Sequence, residues 1–483
     1  MTKLCFLSAL AQARLLRARK VSARELLQAA LDQYALHNDT LNAVVVADID
    51  RARRAADAAD RRHARGKALG PLDGVPMTIK ESFDWAGTPT TWGDPRFRDN
   101  IAATDSEAVR RMTAAGAVLY GKTNVPLLLA DWQTFNAIYG TTSNPWDVTR
   151  SPGGSSGGGA VALATGMASL EVGSDIGASI RNPAHYCGVY GHKPSFGIIS
   201  LKGQTLTGSV SPSDISVGGP MARSAGDLAA MMKVLVGPAG PEARAMTFTL
   251  PPARQRRLKD FRVAVMLTAP ESEVDQPVQD LLVRLAGFLK RRVKTMSFEA
   301  RPAFSTAEAF ENYITLLRAA TSRRQSDADF AANLTRAEGF SGDDRSYHAT
   351  MTRAYVMRHR DWLNAHERRH QMRLLWEAFF DDWDVMLCPA AASAAFPHDH
   401  EGERHSRTIT VNGHDVPTTD QLFWAGYSGN FYLPSTVAPM GQTAQGLPAG
   451  VQIIARSYGD MTAIRFAELL EKEFGGFVPP PGY

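Results

Sequence analysis

Cysteine is nearly absent: Cys5, Cys187 and Cys388 are the only three in 483 residues. Their wide spacing and odd number exclude a disulfide scaffold and fit a reducing compartment, so a cytoplasmic location is expected. No run of 18 apolar residues occurs, which excludes a helical membrane span. An excess of one charge is missing too, since 53 Lys and Arg against 49 Asp and Glu leave only +4. The short basic clusters Arg51–Arg54 and Arg254–Lys259 lack interleaved aromatics, so no nucleic-acid partner is expected. Internal repeats and low-complexity tracts are absent. At the N-terminus, Lys3 and the apolar Leu4–Ala11 have the outline of a short signal peptide. They run straight into Arg14, Arg17, Arg19 and Lys20 and then a capped helix, and are read as part of the folded chain.

What is present is ordinary globular composition, 44% hydrophobic and 21% charged, which excludes wholesale disorder. The length suits a large α/β enzyme or about three domains. Ser22 and Glu25 form a capping box that opens a helix through residue 36, and an Ala/Arg-rich helix covers 48–64. Gly74–Lys80 and Ala117–Tyr120 read as buried strands. Thr104 and Glu107 read as a second capping box, opening a helix that ends at Gly116. Residues 237–259 read as a surface connection. Phe261–Leu267 reads as a strand, and Val278, Leu281, Leu282, Leu285 and Leu289 follow helical spacing. Residues 300–382 read as charged helix, 390–420 as loop, Gly450–Ala455 as strand and 460–473 as helix. This alternation predicts an α/β fold.

Several short patterns compete for the chemistry. Gly116-x-x-x-x-Gly121-Lys122-Thr123 fits a phosphate loop, but its four intervening residues are themselves the expected strand, and Pro126 breaks a helix start. His366-Glu367-x-x-His370 fits a zinc-peptidase helix, yet Arg368 and Arg369 sit between the histidines and no third ligand follows at motif spacing. Gly153-x-Ser155-x-Gly157 and Gly154-x-Ser156-x-Gly158 fit a nucleophile elbow, but loop residues precede them where a buried strand is required. Residues 151–177 hold eight glycines in 27 positions, a density that brings backbone close to a ligand or demands unusual φ angles. Together, Lys80 at a strand end, the serines in Gly153–Gly158 and the turn Gly173–Arg181 suggest a lysine-based acyl-transfer site: a serine needs a base, and an oxyanion needs converging backbone N–H groups.

The segment Gly153–Pro183, GGSSGGGAVALATGMASLEVGSDIGASIRNP, resembles the amidase signature family, including its 24-residue separation between Ser155 and Ser179. Similar motifs run along most of the chain: Pro71–Glu81, Gly121–Pro126, Cys187–Pro194, Gly219–Ser224 and Gly446–Gln452. The resemblance implies one large domain over residues 1–483, a twisted mixed β-sheet flanked by helices on both faces. Its signature core would cover about 70–235 and 425–475, with a variable substrate-pocket region over about 240–420. It further implies Ser179 as acylating nucleophile, Ser155 as proton shuttle after a cis Gly154–Ser155 bond, and Lys80 as base. The oxyanion would be held by the amides of Ile176, Gly177, Ala178 and Ser179, and Asp175, Arg181 and Ser156 would support them. Leu129 corresponds to a pocket position, and Leu127, Leu128 and Trp132 keep its surroundings apolar. Three departures from the family pattern stand out: Ala178 where glycine is usual, Glu81 where aspartate is common, and Asn182 before Pro183 where an apolar residue is common.

For Lys80 to accept a proton it must be neutral, so burial must bring its pKa of about 10.4 down toward about 7–8. Glu81 and Asp175 must then point away, and strand alternation sends Glu81 to the face opposite Lys80. Cys187 reads as a small buried residue. The expected activity is hydrolysis of the C–N bond of a small, uncharged aryl or alkyl amide, anilide or carbamate, through a serine acyl-enzyme. Amide substrate and water are the expected partners, no metal or other cofactor is implied, and a homodimer is compatible. Two alternatives are the amidase component of a glutamine-dependent tRNA amidotransferase, which needs a partner chain, and a zinc peptidase built on His366 and His370.

Overall fold

Short apolar runs bounded by turn residues become strands of one sheet in the computed structural model, which describes residues 3–483. In chain order the strands are β1 (Val44–Ala47), β2 (Pro76–Lys80), β3 (Val118–Thr123), β4 (Leu170–Asp175), β5 (Tyr190–Lys193), β6 (Val217–Ala222), β7 (Arg262–Val265), β8 (Thr295–Ser297), β9 (Val385–Pro389), β10 (Ser435–Gln442) and β11 (Pro448–Ile454). Across the sheet they lie in the order β1-β3-β2-β4-β6-β5-β10-β11-β9-β7-β8. The neighbours β2–β3, β2–β4, β7–β9 and β7–β8 are parallel and the others antiparallel, so the sheet is mixed as expected. Every residue of β2, β3, β4, β9 and β11 is buried. β9 reads as the continuous apolar run expected of a strand covered on both faces, whereas β2 and β4 interleave buried polar residues such as Thr78, Lys80, Glu171 and Asp175.

The topology places chemistry at one end of this sheet. Lys80 closes β2 and Asp175 closes β4, two parallel neighbours, so both sit at strand carboxyl ends, where open α/β sheets form their crevices. Between β3 and β4 the chain crosses through the glycine-rich segment and the helix Gly157–Ala164, every residue of which is buried. Packing explains the glycines. A Cβ at Gly158 would lie 2.5 Å from the Asn124 nitrogen and 2.6 Å from the Ala43 carbonyl oxygen, both backbone atoms that cannot turn aside. A second fully buried helix, Arg181–Cys187, follows the turn after β4 and ends on Gly188 in the left-handed conformation (φ 70°).

The capping box at Ser22 and Glu25 is formed, and its helix runs further than expected, over Ala23–Leu41. At residue 104 the expectation is corrected: Ser106, not Thr104, caps the helix Glu107–Ala114, accepting from the Val109 amide. Glu107 therefore stands at the first helical position, paired with Arg110 and Arg111 rather than closing a box. Residues 390–420 are not all loop, because Thr408–Val411 pairs with His414–Pro417 around Asn412 (φ 51°) and Gly413 (φ 81°). That Asn-Gly pair is the usual sign of a two-residue hairpin turn. The stretch over 240–420 also contributes β7, β8 and β9 to the main sheet, besides four α-helices and one 3-10 turn between Thr306 and Asp382.

Gly158→Ala drives a methyl into fixed backbone on two sides, and overpacking of this kind costs about 1–3 kcal/mol. Thermal unfolding should show a lowered Tm, whereas Gly287→Ala, where nothing lies within 4 Å, should leave Tm unchanged or raise it.

Candidate active site

Lys80 is completely buried, and its Nζ has three neighbours: Ser155 Oγ at 2.7 Å, Ser174 Oγ at 3.0 Å and the Ser174 carbonyl oxygen at 3.2 Å. A neutral amine has two N–H donors and one lone pair. As the ammonium, Nζ donates to all three oxygens; once neutral, with the Ser174 carbonyl and hydroxyl taking its two donors, its lone pair is left for the Ser155 hydroxyl. Gln204 Nε2 donates to Ser174 Oγ (3.1 Å) and holds that hydroxyl in place. Burial brings the Lys80 pKa down to about 7, against the upward pull of Asp175 and Glu171; the charge on Arg324 lowers it further. Burial also pushes Glu171 up to about 8, even though Thr78 and Thr123 hydroxyls donate to it. Near neutral pH that carboxyl is mostly protonated, which weakens its hold on a lysine proton. Glu81 is turned away as expected, accepting from the Thr91 and Trp92 amides at 2.6 and 2.9 Å.

Gly154–Ser155 is a cis peptide, the bond at which one was expected. Gly154 is glycine because a Cβ would lie 2.4 Å from the Asp131 carbonyl oxygen. Its amide donates to Asn182 Oδ1 at 3.2 Å, so the polar residue before Pro183 anchors the serine loop. The Ser156 amide donates to the Ser179 carbonyl at 3.0 Å, which ties the two serine segments together. Ser155 and Ser179 hydroxyls are not hydrogen-bonded to each other among the described contacts.

Asp175 organises the turn that carries Ser179. Its carboxylate meets Arg181 at 2.9 Å and accepts from the Ala178 and Ile180 amides, each at 3.0 Å. Burial would raise this carboxyl, but Arg181, by charge and hydrogen bonds, outweighs it and holds it below the usual aspartate value. Arg181 in turn donates to the Ala425 carbonyl, Ser428 Oγ and Gln452 Oε1, joining the turn to β11 and the helix Leu422–Gly429. Tyr313 donates from its hydroxyl to the Ile176 carbonyl (2.9 Å), and Trp132 Nε1 donates to the Gly177 carbonyl (2.7 Å). In a planar trans peptide the next N–H points opposite to the carbonyl, so these two bonds aim the Gly177 and Ala178 amides. The expected set of four oxyanion donors is corrected here. The Ala178 amide donates to Asp175, while the amides of Ile176, Gly177 and Ser179 have no hydrogen-bond partner among the described residues. Ala178 itself has φ 69°, the left-handed region, which explains why glycine suits that position.

Ser179, Leu129, Trp132, Ile176 and Gly177 line a cavity of about 440 Å³, together with Leu317 and Leu422. Residues from the motif-free stretch complete it, among them Arg318, Arg324, Tyr355 and Arg404. The rival motifs dissolve. Lys122 is buried within β3, donating to Thr90 and the Pro89 carbonyl, with no helix start at Thr123. His366 stacks on Trp362 and contacts Arg369, while His370 contacts Arg373. Among the described residues no three His, Cys, Asp or Glu side chains converge to form a metal site, so the zinc-peptidase reading lacks its third ligand. Cys187 is buried and its thiol pushed up, as expected of an inert residue. Ser174, Gln204, Glu171 and Tyr313 escaped the sequence reading. Ser174 lies inside the recognisable Gly173–Arg181 segment, whereas Tyr313 and the arginines carry no motif.

A family model described as Amidase matches residues 25–464. The chain is 31% identical to a glutamyl-tRNA(Gln) amidotransferase subunit of Anaeromyxobacter sp. (strain K), over 96% of this chain and 95% of that one. It is 30% identical to the indoleacetamide hydrolase of Bradyrhizobium diazoefficiens, over 97% of this chain and 86% of that one. Among solved structures, an inhibitor-bound chain from a vestigial complex related to an s-triazine catabolic enzyme superposes with a TM-score of 0.81 at 26% identity, covering 98% of this chain and 99% of the other.

Tyr313→Phe removes the hydroxyl that aims the Gly177 amide. It should slow phosphonylation of Ser179 by a fluorophosphonate about tenfold, a fraction of the 10²–10³ attributed to one lost donor, with an unchanged circular dichroism spectrum. An unchanged labelling rate would mean that Trp132 and Asp175 suffice to hold the turn.

Proposed function

The chain belongs to the amidase signature family of amide-hydrolysing enzymes, and from that premise we propose that it cleaves the C–N bond of a small amide through an acyl-enzyme on Ser179. The observation that carries this reading is the fully buried contact of 2.7 Å between Lys80 Nζ and Ser155 Oγ. A lysine at about 7 is partly neutral at physiological pH and matched to general-base work. Ser155 passes its proton to Nζ while taking one from Ser179, whose Oγ bonds to the substrate carbonyl carbon. Hydrogen bonds of this kind commonly tighten only around the reacting substrate. The Ile176, Gly177 and Ser179 amides receive the oxyanion. Ser155 then returns a proton to the departing nitrogen, the C–N bond breaks, and water releases the acid by the reverse relay. Asp175 and Arg181 position the turn, and Asn182 and Ser156 position the shuttle.

The indoleacetamide hydrolase relative supports an aryl or alkyl acyl part, and Leu129, Trp132, Leu317 and Leu422 supply apolar walls for one. The three arginines of the same cavity argue against the expectation that the substrate is uncharged. The alternative role in a tRNA amidotransferase draws on the relatives of that name. It requires a partner chain, and turnover of small amides by the isolated chain separates the two. Cytoplasmic residence and a homodimer remain part of this proposal.

Intact mass and peptide mapping after fluorophosphonate treatment should show a single adduct on Ser179, lost in Ser179→Ala. An adduct on Ser155 or Ser156 instead would overturn the assignment.

Because the base must be unprotonated, activity should rise with pH through about 7. Lys80→Ala should reduce kcat by at least ~10² and remove that acidic limb from the pH–rate profile. Near-normal turnover across pH in Lys80→Ala would refute the triad.

A further inference from the structure

Beyond its apolar walls the cavity holding Ser179 is lined by Arg318, Arg324 and Arg404. Arg318, only 7% exposed, comes from the helix Thr306–Thr321. Its guanidinium donates to the Tyr347 hydroxyl, and its buried Nε has no partner. Arg324 donates to the Leu128 carbonyl (2.8 Å) and lies over the Trp92 ring. Arg404 donates to the Ala130 carbonyl (2.8 Å) and to the same Tyr347 hydroxyl (3.3 Å). Among the described residues none of the three forms an ion pair. Elsewhere buried guanidiniums do: Arg181 with Asp175, Arg369 with Asp214 and Arg407 with Asp131. Arg223 also lacks a carboxylate, but it donates to three backbone carbonyls and to Ser169.

The acids lining the cavity do not fill the gap. Asp131 is taken by Arg407, and Asp329 is exposed and accepts from Ser326; Glu403 is exposed. Tyr347 registers the uncompensated charge. Burial alone would raise its phenol, yet Arg318 and then Arg404 outweigh burial and hold it below the ordinary tyrosine value. A buried cation without a counter-ion is costly unless a partner arrives, and a guanidinium fork suits a carboxylate in planar, two-point contact.

We infer that the substrate amide carries a carboxylate, received by Arg318 and Arg324 with Arg404 towards the mouth of the cavity. The inference rests on the acyl-enzyme reading above and narrows its substrate class to small anionic amides. It also links specificity to the base, since Arg324 is one of the charges acting on Lys80.

The test uses isosteric pairs with the carboxylate on either side of the scissile bond. One pair is the 4-nitroanilides of succinic and 4-methylpentanoic acid; the other is 4-acetamidobenzoate and 4-isopropylacetanilide. The carboxylate member of at least one pair should show kcat/KM ~10-fold or more above its neutral isostere, the loss expected when a charged hydrogen bond is missing. Arg318→Met and Arg324→Met should each shrink that ratio. Both rates are read on one preparation, so partial misfolding does not move it, and the half-buried Arg324 carries the test if Arg318→Met fails to fold. Equal or better turnover of both neutral isosteres by wild-type enzyme, or a ratio unchanged in the variants, overturns the inference. If Ser179 also fails to take the fluorophosphonate, the acyl-enzyme reading itself falls; if it takes it, only the anionic substrate does.

Discussion

A lysine amine without contact with water sits at the end of β2, and much of the surrounding structure bears on how easily it loses its proton. Removing Lys80 from solvent disfavours its ammonium form, and the pull of two nearby carboxyls has to be contained. The fold contains each in a different way. Glu171 is buried against two threonine hydroxyls and pushed up to about 8, so it is largely a neutral acid near neutral pH. Asp175 stays charged but is committed to Arg181 and to backbone amides of its own turn. What remains for Nζ is a shell of serine oxygens, the environment in which a neutral amine keeps a lone pair directed at Ser155.

The glycine-rich crossover belongs to the same constraint. To bring Ser155 within 2.7 Å of a side chain ending a central strand, the chain must pass against the backbone of Asp131, Gln133, Asn124 and Ala43, where a Cβ has no room. Asn182 and the Ser156–Ser179 backbone bond then tie the Ser155 loop to the turn carrying Ser179. Arg181 joins that turn to Gln452 of β11, a strand far from β4 both in the sequence and in the sheet order. Breaking this buried ion pair from one side would strand a charge, a loss of about 3–5 kcal/mol.

The segments that bring Lys80, Ser155 and Ser179 together, the Gly154–Ser155 cis bond and the hold of Asp175 and Arg181 on the turn were legible because each lies within a dense motif. Individual strands and helices were legible too, since burial writes apolar runs and 3.6-residue periodicity into local sequence. Misreadings fell where a short-range pattern had two solutions. Thr104 and Ser106 both precede Glu107, and only the path of the preceding loop decides which one caps. Asn412-Gly413 carried a turn signal inside a stretch otherwise read as loop.

The sequence by itself determined the family and with it amide hydrolysis, because the motifs around Lys80, Ser155 and Ser179 and those further along the chain are each written in contiguous residues. Only the tertiary structure decided which amides of the turn carrying Ser179 are free, since the claim of Asp175 on the Ala178 N–H depends on the turn's conformation rather than its composition. It alone brought Arg318, Arg324 and Arg404 into the cavity of Ser179, from positions more than a hundred residues away with no spacing to betray them. A pocket wall is assembled from whichever side chains the packing of helices turns inward, and that choice is made by contacts in space, not by neighbours in the chain.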